Sequence, residues 1–336
     1  MRRTLYILSA LVVLMLVPVG CIEDDFPEKS AADDPVGKSP VVLPADSLAS
    51  ICLSAYVSSQ GDAVGDGPAS LTRAGTSIQS IQFDNDEMFY AYFPTAGVRI
   101  GNVDGDNTTY TTDGSGNATP ATQPYFPAAV TSVDVHAYYP STVTNATTSF
   151  SVLQNQTSTT NYKLSDLMYA TCAATRSAGD PTGSGTLTFT HRMVKIIVSA
   201  TADTNKGVNT VTDIRIVGGH RTINISTPLS CTLGTTTSDA NTTGSYITAY
   251  TGGSSATANC AALVVPETSF TGEFLQVVTD MGTATYSLSS KELTSGSVYT
   301  FNITVNAAAI GISTAITTWG DGGTTILVNN GTDALN

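Results

Sequence analysis

The residue with the clearest chemistry stands near the start of the chain. Met1-Arg2-Arg3 precedes an apolar run from Leu5 to Val19, and Gly20-Cys21 follows, the layout of a bacterial secretory signal that ends in a lipobox. Cleavage there makes Cys21 the acylated N-terminal residue, so residues 1–20 read as a lipoprotein signal peptide. Pro18 stands where such boxes usually carry Leu, and the alternative is ordinary signal cleavage that leaves Cys21 a plain thiol. The other cysteines, Cys52, Cys172, Cys231 and Cys260, would meet an oxidising periplasm, where two disulfides can form among them. Cys231 and Cys260 flank a Thr/Gly-rich stretch and are the preferred pair, against a reading as buried free thiols; for Cys52 and Cys172 the two readings stand equal.

Other chemistry is sparse. The 3 histidines, His136, His191 and His220, lie far apart, outside metal-ligand spacings such as H-E-x-x-H. His136 and His191 fall within strand patterns and read as sheet histidines satisfied by hydrogen bonds. Asp104-Gly105-Asp106 has the start of a calcium loop, yet Thr109 occupies the position that needs Gly and Ser115 the one that needs a bidentate Glu. No G-x-S-x-G elbow, phosphate-binding loop or dinucleotide fingerprint occurs, and the carboxylates suggest no pair for glycoside hydrolysis. The expectation is a non-enzymatic protein with no metal and no cofactor. The formal charge of -13 falls to about −15 once Arg2 and Arg3 leave with the signal, which argues against nucleic acid and anionic membrane surfaces as partners.

The elements that would carry any function are strands. The apolar run Leu5–Val19 is too short and too soon followed by Glu23, Asp24 and Asp25 to span a bilayer, and no later stretch is long enough. Residues 21–49 are acidic and hold Pro27, Pro35, Pro40 and Pro44, which predicts an extended tether. Beyond it the chain is rich in Thr, Ser, Gly and Asn, and short period-two runs recur with no long helical stripe. The clearest is Val298–Val305, and Val133–Tyr139 alternates likewise. The apolar set changes parity between Leu187 and Val198, which a bulge near Met193 would explain. Further strands are expected at Ile51–Val57, Ile78–Phe83, Met88–Phe93, Val211–Val217, Tyr246–Tyr250, Ala261–Val265, Phe274–Thr279, Ile310–Thr317 and Thr325–Val328. An all-β chain of this length predicts two β-sandwich domains, 50–203 and 204–336, divided at the polar stretch Ala202–Gly207.

Several segments together resemble the Bacteroidales fimbrillin family, which includes Mfa-like and FimA-like pilus subunits. They are Val135-His136-Ala137-Tyr138-Tyr139-Pro140, Ser165-Asp166-Leu167-Met168-Tyr169-Ala170, the run Leu187-Thr188-Phe189-Thr190-His191-Arg192-Met193-Val194-Lys195-Ile196, and Gly296–Val305 followed by Ile316-Thr317-Thr318-Trp319. The resemblance implies tandem transthyretin-like β-sandwich domains, export as an outer-membrane surface lipoprotein (the acidic residues after Cys21 loosely fit the surface-export pattern), and assembly with other fimbrillin subunits by strand exchange. On that scheme a protease cuts between Arg73 and Ala74, the first strand Ile51–Val57 leaves, and a neighbour's donor strand, Thr324-Thr325-Ile326-Leu327-Val328, fills the gap. A Cys52–Cys172 disulfide would hold the first strand in place and favour an uncleaved anchor. The competing reading is a non-polymerising adhesin, anchor or tip lipoprotein that binds glycan or host protein, with Tyr125 and Phe126 available to stack on sugar unless they serve packing. Asp46-Ser47-Leu48 matches a short O-glycan attachment pattern.

Overall fold

The computed structural model describes residues 49–58, 83–237, 246–306, 310–318 and 324–327, which lie in one compact unit, Val41–Asn336. The chain is all-β. Its strands are β1 (Ser50–Val57), β2 (Asn85–Tyr92), β3 (Arg99–Ile100), β4 (Val103–Asp104), β5 (Asn107–Asp113), β6 (Asn117–Pro120), β7 (Pro124–Tyr125), β8 (Ser132–Tyr139), β9 (Ser149–Ser151), β10 (Met168–Thr175) and β11 (Thr182–His191). They continue as β12 (Val194–Ala202), β13 (Val211–Ile216), β14 (Thr222–Thr227), β15 (Thr232–Thr236), β16 (Ile247–Tyr250), β17 (Thr257–Val264), β18 (Glu267–Thr279), β19 (Gly282–Leu293), β20 (Ser297–Val305), β21 (Ile310–Thr318) and β22 (Thr324–Leu327). One short helix, α1 (Thr159–Leu164), begins at Ser158, whose side chain accepts from the Asn161 N–H.

The first sheet closes on itself. In the order β11-β10-β8-β2-β5-β6-β1, the last strand pairs back to the first through β1 and β11, a barrel-like ring of seven strands. An open-edged sandwich was the expectation for this part of the chain; closure removes both sheet edges instead. Period-two alternation sends Ile51, Leu53, Ala55 and Val57 of β1 into the interior, along with Leu187 and Phe189 of β11. The core is aromatic: Phe83, Phe89, Tyr110, Tyr139 and Phe189 are all buried, and the Phe89 and Tyr110 rings stack 5.3 Å apart.

A second hydrophobic cluster lies between two further sheets, β17-β12-β20-β21-β22 and β16-β13-β18-β19. They meet face to face through Phe274 and Phe301, 5.7 Å apart, and Tyr286 and Phe301, 5.9 Å apart. A small third sheet, β15-β14-β9, joins this cluster through Phe150, Ile223 and Ile225. The β17 backbone at Leu263 is engaged by the buried Gln156 amide, which donates to Leu263 O at 2.8 Å and accepts from Leu263 N–H at 2.7 Å.

The parity switch between Leu187 and Val198 is a change of sheet and not a bulge. β11 ends at His191 in the barrel, and β12 starts at Val194 beside β17 and β20 in the second cluster. β11 buries alternate positions and β12 most of its residues, and only Arg192 and Met193 separate them, so the sequence shows one run whose parity changes. β12 therefore packs in the second cluster although it precedes the polar stretch at 202–207.

Candidate functional site

The feature of this fold most suited to a function is the seat of β1. All eight residues of β1 pair in parallel with β11, from Ser50 opposite Thr182 to Val57 opposite Phe189. On its other side β1 has short antiparallel pairings, Leu53 with Ala118, Ser54 with Asn117 and Ser50 with Tyr125. Further hydrogen bonds fix the ends: Ser50 N–H donates to Pro181 O at 2.8 Å, Ala55 N–H to Gly116 O at 2.9 Å, and Ser58 N–H to Phe189 O at 2.8 Å. The Gln123 side-chain amide donates to Ile51 O at 3.0 Å. Burying Ile51, Leu53 and Val57 is worth about 1.5–3 kcal/mol each.

The residues facing β1 grade in size. In register, Ile51 stands opposite Gly183, Leu53 opposite Gly185, Ala55 opposite Leu187 and Val57 opposite Phe189. Bulky side chains of β1 thus meet glycines, and its smallest inward residue meets a leucine. A methyl group added at Gly183 would lie 2.6 Å from the Phe126 ring, and one at Gly185 would lie 2.8 Å from Cys172 Sγ.

The first described residues after β1 are firmly held. Phe83 is buried, 5.0 Å from the Phe189 ring and 5.6 Å from that of Tyr139. Lys163 of α1 donates to Asp84 Oδ2 at 2.7 Å and to Glu87 Oε1, while the Tyr139 hydroxyl donates to Glu87 Oε2 at 2.7 Å. Burial works against the Lys163 charge, but hydrogen bonds to the two carboxylates outweigh it and hold its pKa above the usual lysine value.

Two segments singled out in the sequence meet where the chain crosses from the barrel to the second cluster. His191 Nδ1 and Asp166 Oδ1 are 3.0 Å apart, with both side chains 0% exposed. Burial lowers the His191 pKa, against the opposing pull of Asp166, and the Lys195 charge adds to the lowering, so the imidazole is neutral at pH 7. Arg192 N–H donates to Leu167 O at 2.8 Å, Gly296 N–H to Met193 O at 3.0 Å, and the Arg192 guanidinium lies 5.4 Å from the centre of the Tyr169 ring. A buried, hydrogen-bonded pair in a crossover is a fastening, and His191 lies in a strand as the sequence suggested.

Several expectations need correction. Cys231 and Cys260 are both buried free thiols and form no disulfide. Each packs as an apolar residue of the second cluster, and burial pushes the Cys231 thiol up to about 11. Cys172 is also free, because it follows Met168 and Ala170 onto the barrel's inner face while Cys52 alternates outward from Ile51 and Leu53. A Cys52–Cys172 bridge therefore does not tie β1 down. Phe126 is 1% exposed, stacks under the Arg176 guanidinium at 5.3 Å and donates its N–H to Ala49 O, so it packs and is not free to stack on sugar. Tyr125, its neighbour on β7, is half-buried. Cys21, Arg73, Ala74 and Val328 lie outside the described residues. Thr324–Leu327 forms β22, antiparallel to β21 at the end of its sheet. Among the described residues no group of three or more His, Cys, Asp or Glu is placed to hold a metal ion, and no helix is long and apolar enough to cross a membrane.

These features define a β-rich subunit in which a closed barrel holds its first strand beside a second β core. The family model described as Fimbrillin-like matches residues 72–319, and the chain belongs to that family. No curated protein matches the sequence. Among solved structures, a protein from Bacteroides uniformis ATCC 8492 with a proposed role in cell adhesion is 21% identical with a TM-score of 0.54, covering 81% of this chain and 99% of that one. One of the same description from Bacteroides ovatus ATCC 8483 is 17% identical with a TM-score of 0.54, covering 80% and 97%. The tip fimbrial protein Mfa3 from Porphyromonas gingivalis is 10% identical with a TM-score of 0.43, covering 80% and 100%.

Proposed function

We propose that this protein is a structural subunit of a cell-surface fimbria that contributes to adhesion, exported as an outer-membrane lipoprotein on acylated Cys21 and assembled with other fimbrillin subunits by proteolysis-triggered strand exchange. The observation that carries the reading is the seat of β1. Residues 59–82 join β1 to β2 along the chain and hold Arg73, so one cut after Arg73 breaks the backbone between β1 and the strands it pairs with. Departure of β1 would expose the β11 backbone and an apolar groove, the acceptor that strand addition needs. The anchoring of Phe83, Asp84 and Glu87 leaves β2 fixed when β1 goes. Thr324–Val328 is the donor of this proposal, and the tether 21–49 spaces the fold from the membrane. Division into tandem transthyretin-like domains belongs to the same proposal; the two hydrophobic clusters support two cores but not a boundary at 203/204, since β12 and Phe150 pack in the second cluster.

The test is digestion of the mature, unlipidated protein with a trypsin-like protease, N-terminal sequencing and electron microscopy. A new N-terminus at Ala74 together with filaments supports a polymerising subunit. Resistance at Arg73, or a clean cut that yields only monomers, moves the assignment to a non-polymerising anchor, tip or adhesin that engages glycan or host protein.

A further inference from the structure

The outer face of the barrel carries a strip of aromatic rings that is closed at one end and open at the other. Across β2, β8 and β10 the register sets Tyr90 beside Tyr138 and Tyr138 beside Tyr169, and in the next row Tyr92 beside His136. The first row is shut: Tyr138 and Tyr169 are buried, and the Tyr138 hydroxyl donates to Leu229 O at 2.7 Å. The second row is half-buried, with the Tyr92 and His136 rings 6.5 Å apart and tilted by 50°. His136 Nδ1 meets the Tyr169 hydroxyl at 2.6 Å, which fixes its ring, and burial lowers its pKa, so the imidazole is uncharged at pH 7.

A cleft of about 490 Å³ opens beside Tyr92, lined further by Pro94, Thr95, Gly97, Asp104 and Asp106, a size that suits a small-molecule site. Its walls are tied together before any ligand arrives. Phe93 N–H donates to Asp106 O at 2.7 Å, Gly105 N–H to Val98 O at 3.2 Å, and Asp134 N–H to Thr95 Oγ1 at 3.1 Å. Asp104 and Asp106 are exposed. On a chain of formal charge -13, two carboxylates here repel phosphate, sulfate and other anions. A quaternary ammonium ion wants rings on several sides, whereas Tyr90, Tyr92 and His136 lie side by side on one sheet face. Among the described residues no group of three or more His, Cys, Asp or Glu could hold a metal ion. What does fit is a sugar, whose apolar face packs on an aromatic ring while its hydroxyls donate to carboxylate oxygens. We propose that this cleft binds a neutral pyranose of a glycan, stacked on Tyr92 with its hydroxyls donated to Asp104 and Asp106, and with His136 extending the platform. The assignment rests on the adhesive part of the reading above, gives it a site, and is independent of strand exchange.

The uncut, unlipidated protein is probed with a printed glycan array and, by saturation-transfer difference NMR, with the methyl glycosides of glucose, galactose, mannose and N-acetylglucosamine. Binding is expected, weakened about tenfold or more in Asp106→Asn and in Tyr92→Ala, and kept within about threefold in Tyr92→Phe, which retains the ring. Asp106 is exposed, so its substitution leaves the fold intact, and thermal unfolding checks this. Sugar binding that survives both Asp106→Asn and Tyr92→Ala, or binding of tetramethylammonium with no sugar, overturns the site. A parent that binds no glycan overturns it as well, and adherence of the same protein to cultured cells then decides separately whether the adhesive reading stands.

Discussion

Truncating Leu53 to alanine probes the seat of β1 directly. Leu53 is 4% exposed, and its partner in register, Gly185, has no side chain that could swing into the void. The space beside Gly185 is bounded by Cys172 Sγ and Ala174, which sit on the paired strand β10 and have little freedom to move inward. Leucine-to-alanine changes in cores cost about 2–5 kcal/mol, with poorly collapsing sites toward the upper part, so a loss of about 3–5 kcal/mol is expected here. Ser54→Ala, on the outward face of the same strand, should stay within about 0.5 kcal/mol of the parent. Urea unfolding followed by intrinsic fluorescence, with the slope unchanged between variants, gives both values. If Leu53→Ala lies within the Ser54→Ala range, β1 is not an integral wall of the barrel and there is no groove for a donor to fill.

Lys163→Met leaves Asp84 and Glu87 without their shared cation, and hydrogen bonds to charged groups are worth about 1.5–3 kcal/mol, so thermal unfolding should fall by that order. For His191 the folded pKa lies below the unfolded value of about 6.5, so its contribution is fully present above that pH and is lost as pH falls below it. Denaturant midpoints at pH 7.5 and pH 5.5 should therefore separate more for the parent than for His191→Gln, and equal separations would contradict the buried neutral imidazole. The native protein should react slowly with a thiol reagent at pH 8, because burial pushes both Cys172 and Cys231 up to about 11, while unfolding without reductant should release at least the three free thiols. Gly116→Ala should loosen β1 at its other flank: Gly116 has φ +99, and a methyl group there would meet the Tyr56 ring at 2.6 Å, so protection of the β1 amides in hydrogen exchange should drop.

Strands with strong alternation are legible in the sequence almost to the residue. Val298–Val305 appears as β20 and Val133–Tyr139 as β8, because each keeps apolar residues on one face over seven or eight positions. β5, β10 and β19 pass unnoticed: their inward positions include Thr108, Thr112, Ala170, Ala174 and Ala284, too weakly apolar to mark a period. The passage from β11 to β12 reads as a bulge because periodicity cannot tell a kinked strand from two buried strands in different sheets. Asp166, His191 and Lys195 are all visible as parts of family segments, yet their meeting depends on pairing between β10 and β11 and leaves no local trace. Phe126 shows the same limit, since an aromatic beside Pro124 and Pro127 looks like a loop contact until the ring is found over Gly183. Ring closure through β1 and β11 is a parallel pairing across more than 120 residues, beyond any local signal.

The measurement closest to the central claim is native mass spectrometry of the mature protein after cleavage at Arg73, taken before and after incubation at assembly concentrations. The account predicts that the fragment ending at Arg73 stays bound in dilute monomers, through its contacts with β11, and is released in proportion as subunits join. Oligomers that retain the fragment in every subunit would show that β1 never yields its place, and would contradict strand exchange.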